Sequence, residues 1–132
     1  MAIMLDADVI IGGEKGGFDL EGWLISRADD RFEVAAVTVA ELWHGVERAR
    51  AKRRGYLQAI LGALPTIPYT EQTAYEHPRI WAELDASGEM IGFYDVIVAA
   101  TAMERGSSVA TFNKRHFSLI KGLTVVEPDK SG

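Results

Sequence analysis

The chain has 132 residues, 48% of them hydrophobic and 25% charged, with no cysteine and a formal net charge of −5. A soluble domain of this size builds its core without disulfides or structural metal, and the absence of thiols excludes zinc–thiolate sites and cysteine nucleophiles, so any metal must be held by oxygen or imidazole. The acidic balance argues against indiscriminate nucleic-acid binding, and the start MAIMLDADVI lacks the basic and apolar segments of a signal peptide or membrane span, so one cytoplasmic domain over residues 1–132, away from membranes, is expected.

Residues 2–5 form an apolar run of strand length that ends at Asp6. Gly12, Gly13, Gly16 and Gly17 then predict a flexible loop, followed by a helix over 18–28 with Leu20, Trp23, Leu24 and Ala28 on one face. Residues 32–37 read as a second buried strand. From Thr38 the period changes: Val39, Leu42, Trp43 and Val46 stand at i, i+3, i+4 and i+7. Thr38 with Glu41 matches a capping box, which puts Glu41 in the first helical turn. Gly55 is expected to divide this helix from another over 56–64, closed by Pro65.

Residues 66–69 are a short strand candidate, and Thr70 is the expected cap of an amphipathic helix over 70–86, in which Pro78 predicts a kink or break. A helix over 93–104 carries Phe93, Val96, Ile97, Ala100 and Met103 on one face and stops at Gly106. Strands over 108–111 and 124–126 follow, separated by a short helix over 114–120. Strands alternating with helices imply an α/β fold: three layers, α/β/α, around a parallel sheet of four or five strands. In open sheets of this kind the site lies beyond the carboxyl ends of the strands.

Asp6, Glu41 and Asn113 therefore belong at one sheet edge, and Asp95 interrupts the apolar stretch IGFYDVIVAATA near a helix start. Carboxylates gathered this closely repel one another and need protons or a cation to coexist. Mg²⁺ or Mn²⁺ suits oxygen ligands, polarises a phosphoryl oxygen and acidifies a bound water, which points to phosphodiester hydrolysis. Each residue also has a plainer role: Asp6 and Asn113 as helix caps, Glu41 as the capping-box partner, Asp95 as a first-turn acid that complements the helix dipole.

The segments MLDADVII, VTVAELWHGVERA, GFYDVIVAATA and VATFNKRHF resemble, in order and over nearly the whole chain, the four motif regions of PIN-domain ribonucleases, and most closely the VapC toxins of toxin–antitoxin pairs. The resemblance implies a PIN-like fold and a metal-dependent endoribonuclease. It makes Asp6, Glu41, Asp95 and Asn113 the catalytic set, with Asp6, Asp95 and Glu41, directly or through a water, on the metal. Asp8 and Thr111 match positions that support the site. It further implies a transfer or ribosomal RNA substrate, a cognate antitoxin and a homodimer. Many relatives have another Asp near position 116, where this chain has His116, so the number of metal ions stays open.

The helix bearing Glu41 continues into a basic run, Arg48, Arg50, Lys52, Arg53 and Arg54, which together with Lys114 and Arg115 is the expected RNA contact. The segments 21–27 and 48–60 are candidate surfaces for the partner protein. A different chemistry also fits Asp6-Ala7-Asp8-Val9: a haloacid-dehalogenase-type phosphatase with Asp6 as nucleophile and Asp8 as acid/base. That pattern requires a late acidic pair on another strand, whereas Glu127 and Asp129 fall beyond the last one, and it leaves Glu41 and Asp95 without a role. A receiver domain lacks its acceptor Asp in 66–69, and a non-catalytic PIN-like binding module is separated only by an activity assay.

Overall fold

The computed structural model describes residues 1–48 and 51–130, apart from the side chains of residues 48, 51 and 52. Strands β1 (Ala2–Leu5), β2 (Arg31–Ala35), β3 (Thr66–Ile67), β4 (Ser108–Ala110) and β5 (Val125–Val126) form a sheet of order β3-β2-β1-β4-β5. All its pairings are parallel, as the alternation of strands and helices requires. The chain builds outward from β1 to one edge and then returns to β1's other side for β4 and β5. The switch point lies between β1 and β4.

Successive strand residues supply opposite faces. Ile3, Leu5, Val34 and Ala110 pack on one side with Val9, Ile10, Leu42 and Leu57, while Met4, Ala35, Ile67 and Val109 pack on the other with Ile80, Val96, Ala99 and Phe117. The result is the expected three-layer α/β/α arrangement. Among the described residues no helix is long and apolar enough to cross a membrane.

Several elements differ from their sequence expectation. The supposed glycine loop is largely a helix, α1 (Ala7–Lys15), with Gly12 and Gly13 inside it. A Cβ on Gly13 would meet the Tyr56 hydroxyl at 2.6 Å and the Leu20 Cβ at 2.7 Å, so that glycine serves close helix packing. The actual turn is at Gly16, with φ of 81°. Helix α2 (Leu20–Ser26) is shorter than anticipated, and β2 stops two residues short of Val37.

Helix α3 (Ala36–Arg48) begins before Thr38, so the capping box is not formed and Glu41 lies in the second turn. Thr38 is buried instead, and its hydroxyl has no hydrogen-bond partner among the described residues. An orphaned buried hydroxyl is a net cost, so Thr38→Val is expected to raise the unfolding free energy by about 1 kcal/mol in a denaturant titration. A loss of stability would mean the hydroxyl has a partner.

Gly55 lies inside α4 (Ala51–Gly62) and divides nothing. Helix α5 (Glu71–Ala86) runs through Pro78 as one element, held by the Thr70 cap, whose hydroxyl accepts from Thr73 N–H, and by Ile80 and Leu84 in the core it shares with α6 (Phe93–Arg105). Helix α7 (Lys114–Phe117) is a single turn, shorter than the 114–120 expected.

Candidate active site

Registry places the first two site residues. Leu5 of β1 pairs with Ala110 of β4, so the next residues, Asp6 and Thr111, leave the sheet side by side at the switch point. The Thr111 hydroxyl donates to Asp6 Oδ2 at 2.8 Å, and Asp6 Oδ1 accepts from Ala7 N–H at 2.8 Å, which caps α1. The capping role expected as the plain reading of Asp6 is therefore real, and it aims the carboxylate rather than consuming it. The Thr111 oxygen also accepts the Asn113 N–H at 2.9 Å, tying the next site residue to the same hydroxyl.

Asp8, two residues into α1, accepts from Phe112 N–H at 3.1 Å and lies 3.3 Å from the Thr111 hydroxyl. Asp95 is the third residue of α6, whose first turn is at the carboxyl edge of the sheet because α6 leads back into β4. Glu41 reaches the same place from α3. All four carboxylates have raised pKa values. Burial is the main cause for each, and the charges add to it: Asp8 and Asp95 act on Asp6, Asp8 on Asp95, and Asp95 and Asp8 on Glu41. Asp6, only 5% exposed, is pushed up to about 7.

Asp8 thus belongs to the cluster itself, more centrally than the supporting position read from the sequence. Asn113 precedes α7, and its side-chain amide lies 2.9 Å from His116 Nδ1. His116 is exposed, yet its charge acts on Asp95 and opposes the rise of that pKa. Lys130, outside every motif and without a sequence signal, acts on Asp8 in the same way and lies over the Phe112 ring, 4.1 Å from its centroid.

The basic residues are less uniform than their spacing suggests. Arg53 is bound to Glu14 through two hydrogen bonds, at 2.7 and 2.8 Å. Arg54 lies over Trp43 with Glu47 at 3.7 Å. Lys114 and Arg115 are exposed on α7 beside Asn113. Arg50 and the side chains of Arg48 and Lys52 lie outside the described residues.

Among the described residues no three carboxylate or imidazole groups converge into a ready metal cage. The donor set still fits a hard cation: it is all oxygen, and burial together with the charges of Asp8 and Asp95 pushes the pKa of Asp6 up to about 7. Mg²⁺ commonly binds through one or two carboxylates and keeps several waters, so a complete cage is not required.

The PIN domain family model matches residues 3–123 of this chain. The chain belongs to the PIN-domain family. Within that family it is similar to the tRNA(fMet)-specific endonuclease VapC of Salmonella typhimurium, with 32% identity over 97 residues, 72% of this chain and 74% of the relative. Two solved structures share the PIN fold. A DNA-bound VapBC from Salmonella typhimurium gives a TM-score of 0.88 at 27% identity, covering 96% of this chain and 98% of that one. VapBC-5 of Mycobacterium tuberculosis, a member of the VapBC family of toxin–antitoxin systems, gives 0.75 at 28%, covering 96% and 97%. PIN membership, with Glu41 and Asp95 gathered beside Asp6 and Asp8, removes the phosphatase alternative.

Proposed function

We propose that the chain is a Mg²⁺- or Mn²⁺-dependent endoribonuclease and the toxin of a toxin–antitoxin pair, with residues 1–132 acting as one PIN-like nuclease domain. The observation that carries this reading is the gathering of Asp6, Asp8, Asp95 and Glu41 at the switch point, where burial and neighbouring acids raise the carboxyl pKa values, that of Asp6 to about 7. Asp6, Asp95 and Glu41 hold the metal, Glu41 directly or through a water. When bound, the ion polarises the scissile phosphate and lowers the pKa of a water. The chain's own part is to gather the charge and orient it: Thr111 holds Asp6 and Asp8 together, while Asn113 adds a neutral polar group at the edge.

The name of the Salmonella relative favours transfer RNA as substrate, with ribosomal RNA the other class to test. Lys114 and Arg115 are the basic residues best placed to meet it, and Arg53 and Arg54 would have to leave their present partners. The VapBC complexes favour a cognate antitoxin. Its fitting surface is an apolar depression of about 490 Å³ between α2 and α4, lined by Leu20, Leu24, Tyr56 and Ile60 and edged by Asp19 and Glu21. A homodimer is supported by the exposed rings of Tyr75, Phe93 and Tyr94 along α5 and the start of α6.

Purified, partner-free protein is expected to cleave total transfer RNA with Mg²⁺ or Mn²⁺ and to stop when EDTA is added. Folded protein that cleaves neither transfer nor ribosomal RNA with either ion would overturn the reading.

A further inference from the structure

We propose that Lys130 is an RNA-binding residue, which holds a backbone phosphate of the substrate strand at the carboxylate cluster. This inference rests on the ribonuclease reading. A cluster of four acids repels the polyanion it is meant to cut, so binding has to come from cations at its margin. In the run after Glu41, Arg53 is held by Glu14 through two hydrogen bonds and Arg54 has Glu47 at 3.7 Å, so both already face an acid. On the α7 side the margin carries His116, Lys114 and Arg115. On the opposite side, where β5 runs out through Pro128, it carries Lys130.

The placement of Lys130 is built by the fold. Thr111 N–H donates to the Val126 carbonyl at 3.0 Å, so the end of β5 is bound to the strand end that orients Asp6. Pro128 is buried, which anchors the segment two residues before the lysine. The Lys130 ammonium lies on the face of Phe112, 4.1 Å from the ring centroid, and the backbone N–H of that same Phe112 donates to Asp8. Phe112 is itself fixed edge-on against Phe18, at 5.1 Å between centroids. A ring face attracts an ammonium without taking up its hydrogens, so the N–H groups of Lys130 remain able to donate to a phosphate oxygen.

There is room for a strand at this point. A depression of about 410 Å³ is bounded by Phe112, Glu127, Pro128, Asp129 and Lys130, and a second, of about 310 Å³, by Phe18, Asp19, Trp23, Ser26, Asp129 and Lys130, so that among the described residues lining them Lys130 is the cation beside several acids. Both border the lysine. Its charge contacts backbone and reads no base, so the effect should be the same on every RNA sequence.

The test compares wild type, Lys130→Ala and Lys130→Arg in two measurements. In steady-state cleavage of transfer RNA, Lys130→Ala is expected to raise KM about tenfold with kcat unchanged, and Lys130→Arg to restore it. In fluorescence anisotropy, each variant is combined with Asp95→Asn and titrated with a short fluorescein-labelled single-stranded RNA in Mg²⁺. There the alanine variant should weaken binding by a similar factor and reduce the slope of log K against log salt by about 1. Unchanged binding and salt slope would overturn the proposal, as would a fall in kcat at constant KM, which would assign Lys130 to tuning Asp8 instead. Because anisotropy reads binding without cleavage, the two failures are distinguishable: loss of the Lys130 effect on binding overturns this proposal, whereas RNA binding with no cleavage by wild type overturns the ribonuclease reading on which it rests.

Discussion

Replacing Asp95 by Asn, or Asp6 by Asn, is expected to lower kcat/KM for RNA cleavage by about 10³-fold or more, roughly 4 kcal/mol of transition-state stabilisation, while leaving the protein as stable as wild type or more so. The two halves of this expectation have one cause. Both carboxylates lie where burial and neighbouring acids raise their pKa, so in the absence of metal each charge works against the fold. An amide removes that charge and also removes a ligand. At position 6 the exchange is sterically quiet: the amide oxygen accepts from Ala7 N–H, its NH₂ donates to Thr111, and the Thr111 hydroxyl turns toward Asp8. Cleavage kinetics and a thermal melt of the same preparation check both halves. An inactive variant that melts below wild type would show a structural loss and would not support a catalytic role.

The same cluster makes the metal-free protein pH-sensitive in an unusual direction. Asp6 titrates at about 7 when folded, against 3.8 for the ordinary side chain. Between those values the folded state binds more protons than the unfolded one, so stability falls as pH rises and levels off above about 7. Asp8, Glu41 and Asp95 shift in the same direction and add to the trend. The ceiling for Asp6 alone is roughly 4 kcal/mol, since each unit is worth about 1.4. In EDTA, unfolding free energies measured from pH 5 to 8 should decline for wild type and stay flatter for Asp6→Asn. Adding Mg²⁺ should restore stability most at the alkaline end, where the ligands are deprotonated. A wild type whose stability in EDTA rises over this range would contradict the expected charge state of the cluster.

The sequence was most informative where local chemistry and tertiary need agreed. The apolar run at 2–5 and the short segment at 108–111 have strand length, and helices between them imposed parallel pairing, so the sheet edge holding Asp6, Glu41 and Asn113 was readable in advance. Asp95 stood out because a charge within IGFYDVIVAATA demands compensation. Reading failed where one residue type serves two purposes. Gly12 and Gly13 look like a loop, yet Gly13 is in a helix because Tyr56 and Leu20 leave no space for a Cβ, a constraint set by residues that lie far along the chain or on another helix. Thr38 and Glu41 have capping-box spacing, but the strand before them ends early and the helix starts at Ala36, which leaves Thr38 buried and Glu41 free to face the other acids.

That Asp6, Glu41 and Asp95 share one edge was expected from the sequence, Asp6 and Asp95 from a strand end and from a charge in apolar surroundings, and Glu41 chiefly from the resemblance to PIN-domain ribonucleases. Their ranking and company were decided only by tertiary structure. Registry between β1 and β4 sets Thr111 against Asp6 and brings Asp8 into the cluster through Phe112, while the exit of β5 carries Lys130 to its margin. These depend on which strands are neighbours. Burial, the main cause that pushes Asp6 to about 7, and the charge of Asp95 act only once distant segments meet, whereas Asp8 lies two residues away in the same segment.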